Sequence, residues 1–187
     1  MGMTQNLTLQ TLGGISNFHN EDGSELLIWR PSIALGIKTS NKSNSLSVGF
    51  HYETKGADKD LEHWKFRLKY LSLSVGTGIK SKDNRIFINI GPYFSLLASL
   101  NLSSDNVRAI GYAENSFKKI DYGMYVDYSY FFYSINSYSL GMSVKANYGF
   151  LDIFHDNAVL ITTQENKWTR NFNILLGLVF TKKNIQK

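Results

Sequence analysis

Apolar side chains recur at every second position along much of this chain. The pattern is clearest over residues 46–52, 140–148 and 172–180, where aliphatic or aromatic residues mostly alternate with glycine, serine, asparagine or a charged residue. A period of two predicts β-strands, because successive side chains of a strand point to opposite faces. The polar face holds mostly glycine and small polar groups with few charges. This composition favours a narrow interior that excludes water and an apolar outer face in contact with lipid.

The alternation divides the chain into eight candidate strands. They are Asn6–Asn17, Leu27–Thr39, Ser45–Thr54, Trp64–Ile79, Arg85–Leu100, Lys118–Phe132, Ser139–Leu151 and Trp168–Lys182. Eight strands make the smallest common membrane barrel. The sequence therefore predicts an all-β fold, an eight-stranded antiparallel up-and-down transmembrane β-barrel.

The connections between these strands alternate in length. The long ones are Phe18–Leu26, Lys55–His63, Asn101–Phe117 and Asp152–Lys167, and the short ones are Ser40–Asn44, Lys80–Asn84 and Tyr133–Tyr138. Outer-membrane barrels have short periplasmic turns and long extracellular loops. We therefore expect both termini in the periplasm and four loops outside the cell.

Length and composition fit one such domain, residues 1–187, with the strands within about 6–182 and a polar tail at 183–187. No apolar run reaches the roughly 18 residues of a spanning helix, so a membrane crossing would need a closed barrel. Cysteine is absent, which rules out disulfides and thiolate metal sites. The start Met1-Gly2-Met3 is not a secretory signal. We expect that signal to have been removed, and we expect the protein in the outer membrane of a Gram-negative bacterium.

Pairing across the hairpins predicts which charges share the lumen, because residues opposite one another lie on the same face. A turn centred near Asn136 places Asp127 opposite Lys145, and a loop centred near Lys59 places Glu53 opposite Lys65 and His51 opposite Arg67. The predicted lumenal ion-pair network is Glu53, Lys65, Arg67, Asp121, Asp127 and Lys145. We favour a plugged lumen over a pore, because an eight-stranded barrel is just wide enough for its own side chains.

The fourth strand changes the parity of its apolar residues at Tyr70–Leu71. Trp64 to Tyr70 carry apolar residues at even positions, and Leu71 to Val75 carry them at odd positions. A β-bulge there would restore one lipid face. The alternative is that the upper half of the strand stands clear of the membrane.

Aromatic residues near the strand ends fit the interfacial girdles of membrane barrels. The predicted membrane-interface aromatics are Trp29, Tyr52, Trp64, Tyr93, Tyr128, Tyr148 and Trp168. Lysines such as Lys80 and Lys82 gather at the predicted periplasmic end, where they form a solvated rim that could also meet a partner.

Short segments in a fixed order resemble the PorT-like outer-membrane β-barrel family of the Bacteroidetes type, which is similar to the small OmpA/OmpX-like barrels. They are 14–18 (GISNF), 52–57 (YETKGA), 68–73 (LKYLSL), 91–94 (GPYF), 96–98 (LLA), 117–123 (FKKIDYG), 148–153 (YGFLDI) and 176–180 (LGLVF). The resemblance spans nearly the whole chain and implies the porin-like barrel fold. It implies little about role, because members include a protein linked to secretion and gliding systems beside many barrels of unassigned function.

Candidate chemistry is sparse. The four histidines show no ligand spacing, so we expect no metal and no cofactor. His51 with Glu53 is the only combination that could serve a serine acyl-hydrolase near the outer leaflet, and we expect packing there rather than catalysis. The net charge of +5 forms no basic stripe, so no nucleic-acid partner is expected.

The sequence thus predicts a monomeric integral outer-membrane protein with a structural or interaction role. Its expected partners are outer-membrane lipid or detergent, and other envelope proteins met through the extracellular loops or the periplasmic rim. Two alternatives stay open: a soluble lipocalin-like carrier with its apolar face inward, and a lipid A-modifying enzyme.

Overall fold

The fold is an all-β antiparallel barrel, seen in a computed structural model that describes residues 5–20, 27–41, 46–59, 64–103, 117–152 and 169–183. The strands are β1 (Gln5–Asn20), β2 (Leu27–Asn41), β3 (Ser47–Lys59), β4 (Trp64–Lys80), β5 (Ile86–Ser103), β6 (Ile120–Ile135), β7 (Tyr138–Asp152) and β8 (Thr169–Lys183). In the described ranges no helix is long and apolar enough to span a membrane. Each strand pairs with the next and β8 pairs with β1, which closes the sheet. The predicted antiparallel barrel class is confirmed.

The two faces of the sheet are apolar outside and polar inside. On β3 the side chain of Phe50 is 54% exposed while His51 is buried, and on β7 Val144 is exposed while Lys145 is buried. A soluble carrier would need its apolar face inward. That alternative is therefore wrong, and the outward apolar face is the one expected of a barrel in lipid.

The hairpin of β3 and β4 extends further than the sequence predicts. The two strands stay paired up to Lys59 and Trp64, so only residues 60–63 connect them. The predicted loop of Lys55–His63 is mostly strand, and the strict alternation of long and short connections does not hold here.

The pairing of β2 with β3 is interrupted between Trp29 and Ala34. Pro31, which has no N–H to donate to a ladder, lies in this gap. Ser16 on β1 reaches β3 instead: its Oγ accepts from the Gly56 N–H at 2.9 Å and donates to the Gly56 carbonyl at 3.0 Å. One hydroxyl thus satisfies two backbone groups that the interrupted ladder leaves open.

A register shift near the predicted parity change lies between β4 and β5. Lys69 pairs with Ser99 and Tyr70 with Leu97, so the extra residue is Ala98 on β5, while β4 pairs with β3 without a break. Even positions of β4 face inward on both sides of that point. A bulge in β4 that restores one lipid face is therefore not what the structure has: Leu68 and Tyr70 lie inside, and both are fully buried.

Two hairpin turns depend on asparagine in the left-handed region. Asn84 has φ 56° in the β4–β5 turn, and Asn136 has φ 49° in the two-residue β6–β7 turn. Asparagine tolerates this conformation better than most residues with a side chain, which allows tight connections at this end of the barrel.

Candidate functional site in the barrel lumen

An ion pair crosses the lumen from one wall to the other. Lys145 Nζ on β7 lies 2.6 Å from Glu53 Oε1 on β3, and these strands are opposite each other in the closed order β1 to β8. Asn147 Nδ2 donates to the other oxygen, Glu53 Oε2, at 3.2 Å. Glu53 and Lys145 are 1% and 2% exposed. The pair occupies the centre of the lumen, where an open channel would have to pass.

A second pair lies beside the first. Lys55 Nζ is 2.9 Å from Asp121 Oδ2 and 3.9 Å from Glu53 Oε2. The same Asp121 oxygen accepts from Tyr93 OH at 3.1 Å and from Asn171 Nδ2 at 3.0 Å. Two lysines and two carboxylates therefore form one buried cluster with no net charge. A low-dielectric interior requires such mutual neutralisation, because an unpaired buried charge is costly.

Tyrosine rings complete the surroundings of the two lysines. Lys55 Nζ lies 4.6 Å from the ring centroid of Tyr93 and 5.0 Å from that of Tyr70, and Lys145 Nζ lies 5.6 Å from that of Tyr125. Desolvated cations gain attraction from such ring faces. Lys55 was not among the predicted lumenal residues, because the sequence predicted a loop from Lys55 to His63. The signal was present, since Lys55 continues the inward parity of His51 and Glu53.

Asp127 is opposite Lys145 in the β6–β7 ladder, as predicted. Its carboxylate accepts from Ser143 Oγ at 2.6 Å, Gln10 Nε2 at 3.0 Å and Ser129 Oγ at 3.2 Å. Lys145 forms its 2.6 Å ion pair with Glu53 on the opposite wall, so this hairpin is joined to β3 by a bond across the lumen.

Arg67 was predicted in the lumen, and this is wrong. The register pairs Glu53 with Tyr70 and His51 with Ser72, and it turns the exposed Arg67 outward. The hairpin is centred beyond residue 61 rather than at Lys59, and an odd shift of register moves every side chain to the other face. The backbone of Lys65 pairs with Asp58 and Ser103, and its side chain lies outside the described part.

Glycines leave room for the large lumenal side chains. A Cβ on Gly76 would collide with the Tyr125 hydroxyl, and one on Gly149 would come within 2.8 Å of Asp121 Oδ1 and 3.2 Å of Tyr93 OH. Small residues facing large ones allow a narrow barrel to be filled.

His51 contacts a serine, although no nucleophile motif marks it. His51 Nε2 lies 3.2 Å from Ser74 Oγ, and both residues are buried in the wall of the lumen. Glu53, the predicted carboxylate partner, is occupied by Lys145 and Asn147. Over the described residues, no group of three or more histidine, aspartate or glutamate side chains is placed to hold a metal ion.

The predicted interface aromatics separate into different positions. Tyr52 and Tyr128 are exposed on the outer face, and Tyr148 is half-buried and accepts a hydrogen bond from Arg170 Nη1 at 3.4 Å. Tyr93 is buried in the lumen, so its assignment to the interface is wrong. The remaining predicted aromatics are outside what the structure describes: the side chains of Trp29 and Trp64, and the whole of Trp168.

Comparison with known proteins agrees with this geometry. A family model described as outer membrane protein beta-barrel domain matches residues 12–155. No curated protein matches the chain. Among solved structures, OprG from Pseudomonas aeruginosa is similar with a TM-score of 0.54 at 10% identity, covering 98% of this chain and 97% of that one. Neisserial surface protein A gives 0.51 at 13% identity, covering 95% and 97%. At these identities the likeness concerns the fold alone.

Proposed function

The chain belongs to the outer membrane protein beta-barrel domain family and is an integral barrel of the bacterial outer membrane, and from this we propose a structural or interaction role with a closed lumen. The observation that carries the proposal is the Glu53–Lys145 pair across the lumen. With Lys55 and Asp121 it forms a neutral plug of side chains joined by hydrogen bonds. A solute would have to separate buried ion pairs to pass, and a buried charge without its partner is costly.

The finer architecture is part of the proposal. We take the barrel to span the membrane with eight strands, which the pairing order β1 to β8 supports. The turns with Asn84 and Asn136 would face the periplasm together with both termini, and the β1–β2, β3–β4, β5–β6 and β7–β8 connections would lie outside the cell. Contact with other envelope proteins would then be made through the extracellular loops, and the barrel itself would be monomeric.

The PorT-like relationship is narrower than the family and also belongs to this proposal. The segments that support it run in order from Gly14 to Phe180. A gene neighbourhood that holds secretion or gliding components would favour it, whereas neighbours of unrelated function would speak against it.

The proposal assigns no catalysis to the barrel. His51 and Ser74 are buried in the lumen wall, away from the outer-leaflet lipid that a lipid A-modifying enzyme must reach. Mass spectrometry of outer-membrane lipid from cells with the native protein and with His51→Ala tests this. Unchanged lipid is expected, and a modification that depends on His51 would contradict the proposal.

Planar-bilayer recording tests the closed lumen. The native barrel is expected to be electrically silent after insertion. A double variant that removes both side chains of the pair, Glu53→Ala with Lys145→Ala, is expected to conduct. Steady conductance by the native protein would overturn the plug.

A further inference from the structure

The outer surface of β3–β5 changes abruptly from apolar to basic between two neighbouring cross-strand rows. Tyr52, Leu71 and Leu96 form the last apolar row. The next two rows towards the β3–β4 connection are Thr54–Lys69–Ser99 and Gly56–Arg67–Asn101. We name the five side chains Thr54, Arg67, Lys69, Ser99 and Asn101 the β4 basic patch.

The patch lies at the upper edge of the lipid-facing belt. Outward residues of β4 run from Ile79 through Val75 and Leu73 to Leu71. This stretch is ~27 Å along an antiparallel strand. At a strand tilt of about 40° it covers ~20 Å of the membrane normal, close to the apolar band of about 25 Å in outer-membrane barrels. Lys69 and Arg67 follow directly, at the level of lipid headgroups.

Among the residues that the structure describes, no acidic side chain neutralises the charge of the patch. Arg67 is exposed and Lys69 is half-exposed, and neither forms an ion pair with any side chain that the structure describes. Ser99 and Asn101, which pair with them on β5, add exposed hydrogen-bonding groups. Two cations two positions apart on one strand face are ~7 Å apart, a spacing that a multiply charged headgroup can bridge.

We propose that the β4 basic patch binds the phosphorylated headgroup of an outer-leaflet lipid whose acyl chains pack on the apolar rows beneath it. The apolar rows supply contact for the chains, and Arg67 and Lys69 supply charge-assisted hydrogen bonds to phosphate oxygens. This rests on the orientation proposed above, with the β3–β4 connection outside the cell. The annular lipid would then be held at one side of the barrel rather than uniformly around it.

Lipid binding to the full chain in detergent tests the proposal, with phosphorylated lipid A and its dephosphorylated form as probes and native mass spectrometry as readout. Each cation near an anionic headgroup is worth about fivefold in affinity. The phosphorylated lipid should therefore bind roughly 25-fold more tightly than the dephosphorylated one. Arg67→Gln with Lys69→Gln should abolish that preference.

The matched control neutralises two exposed cations at the opposite end, Lys82→Gln with Arg85→Gln, and should keep the preference. The proposal would be overturned if the native protein bound both lipids with equal affinity. It would also be overturned if the preference for the phosphorylated lipid survived the loss of Arg67 and Lys69, or if the control variant lost that preference to the same extent. Displacement of the lipid by excess inorganic phosphate would overturn it as well. Conductance is measured separately on the same proteins, so failure of the plug and failure of the lipid site are distinguishable.

Discussion

Glu53 and Lys145 are 92 positions apart in sequence, yet their charged atoms meet at 2.6 Å in the middle of the lumen. They project from β3 and β7, which lie on opposite walls of the barrel. The bond therefore both neutralises two buried charges and ties the walls together.

Removing one partner of this pair should destabilise the barrel strongly. Glu53→Gln or Lys145→Met leaves an uncompensated buried charge, at a cost of about 3 kcal/mol or more. The double variant should recover much of that loss. The free energy of unfolding is measured by urea titration in detergent, with the folded and unfolded fractions read from their separate bands on a gel. Additive losses in the double variant would show that the two residues are not coupled.

Ser16→Ala should weaken the junction of β1 with β3. The change leaves the N–H and carbonyl of Gly56 without their Ser16 partner. A buried unsatisfied group costs about 1–3 kcal/mol. Ser99→Ala, on the exposed outer face, is the matched control and should stay within about 0.5 kcal/mol of the native protein. Equal effects of the two substitutions in urea unfolding would contradict the role of Ser16.

Gly76→Ala should overpack the lumen. The added methyl group would press on the Tyr125 side chain. Overpacking of this kind costs about 1–3 kcal/mol. Tyr125→Phe removes the hydroxyl that the methyl group meets, so the combined variant should regain part of the loss. If Gly76→Ala lowered the free energy of unfolding equally in the native protein and in Tyr125→Phe, the contact with the hydroxyl would not be the cause of the destabilisation.

Asp83 in the β4–β5 turn should titrate at unusually low pH. The Ser81 hydroxyl and the Arg85 N–H donate to its carboxylate and hold the pKa of Asp83 below its ordinary value. A depressed folded-state pKa stabilises the turn above the unfolded-state pKa, and this is lost as the pH falls through the folded value. NMR titration should place the pKa of Asp83 below that of an aspartate in an unstructured peptide, and Ser81→Ala should raise it. A native pKa at or above the unstructured value would refute the assignment.

The strands were predictable from sequence because apolar residues on the lipid-facing side alternate with polar residues on the lumenal side, which gives a period of two. Burial of Asp127 opposite Lys145 followed from one hairpin, whose turn at Asn136 is short and well marked. The wider network was not predictable in the same way. Local pairing describes adjacent strands, whereas the Glu53–Lys145 bond crosses the lumen between strands that share no ladder.

The predicted positions of Arg67 and Tyr93 were wrong for different reasons. Arg67 was misplaced because the β3–β4 hairpin continues through a polar stretch, so that Glu53 pairs with Tyr70 instead of Lys65 and the register shifts by an odd number of residues. Tyr93 was assigned to the interface by residue type. In a narrow barrel tyrosine is also a lumen filler, provided that glycine such as Gly149 stands beside it.

The apolar face of the barrel contacts lipid and the polar face is enclosed, and the accessibility of single positions along one strand measures this directly. The chain has no cysteine, so single cysteines can be placed one at a time along β7 from Ser139 to Tyr148, spin-labelled and reconstituted in lipid vesicles. Collision rates with membrane-dissolved oxygen should then alternate, high at Met142 and Val144 and low at Ser139 and Ser143. A flat profile, or high rates at the odd positions, would contradict the account.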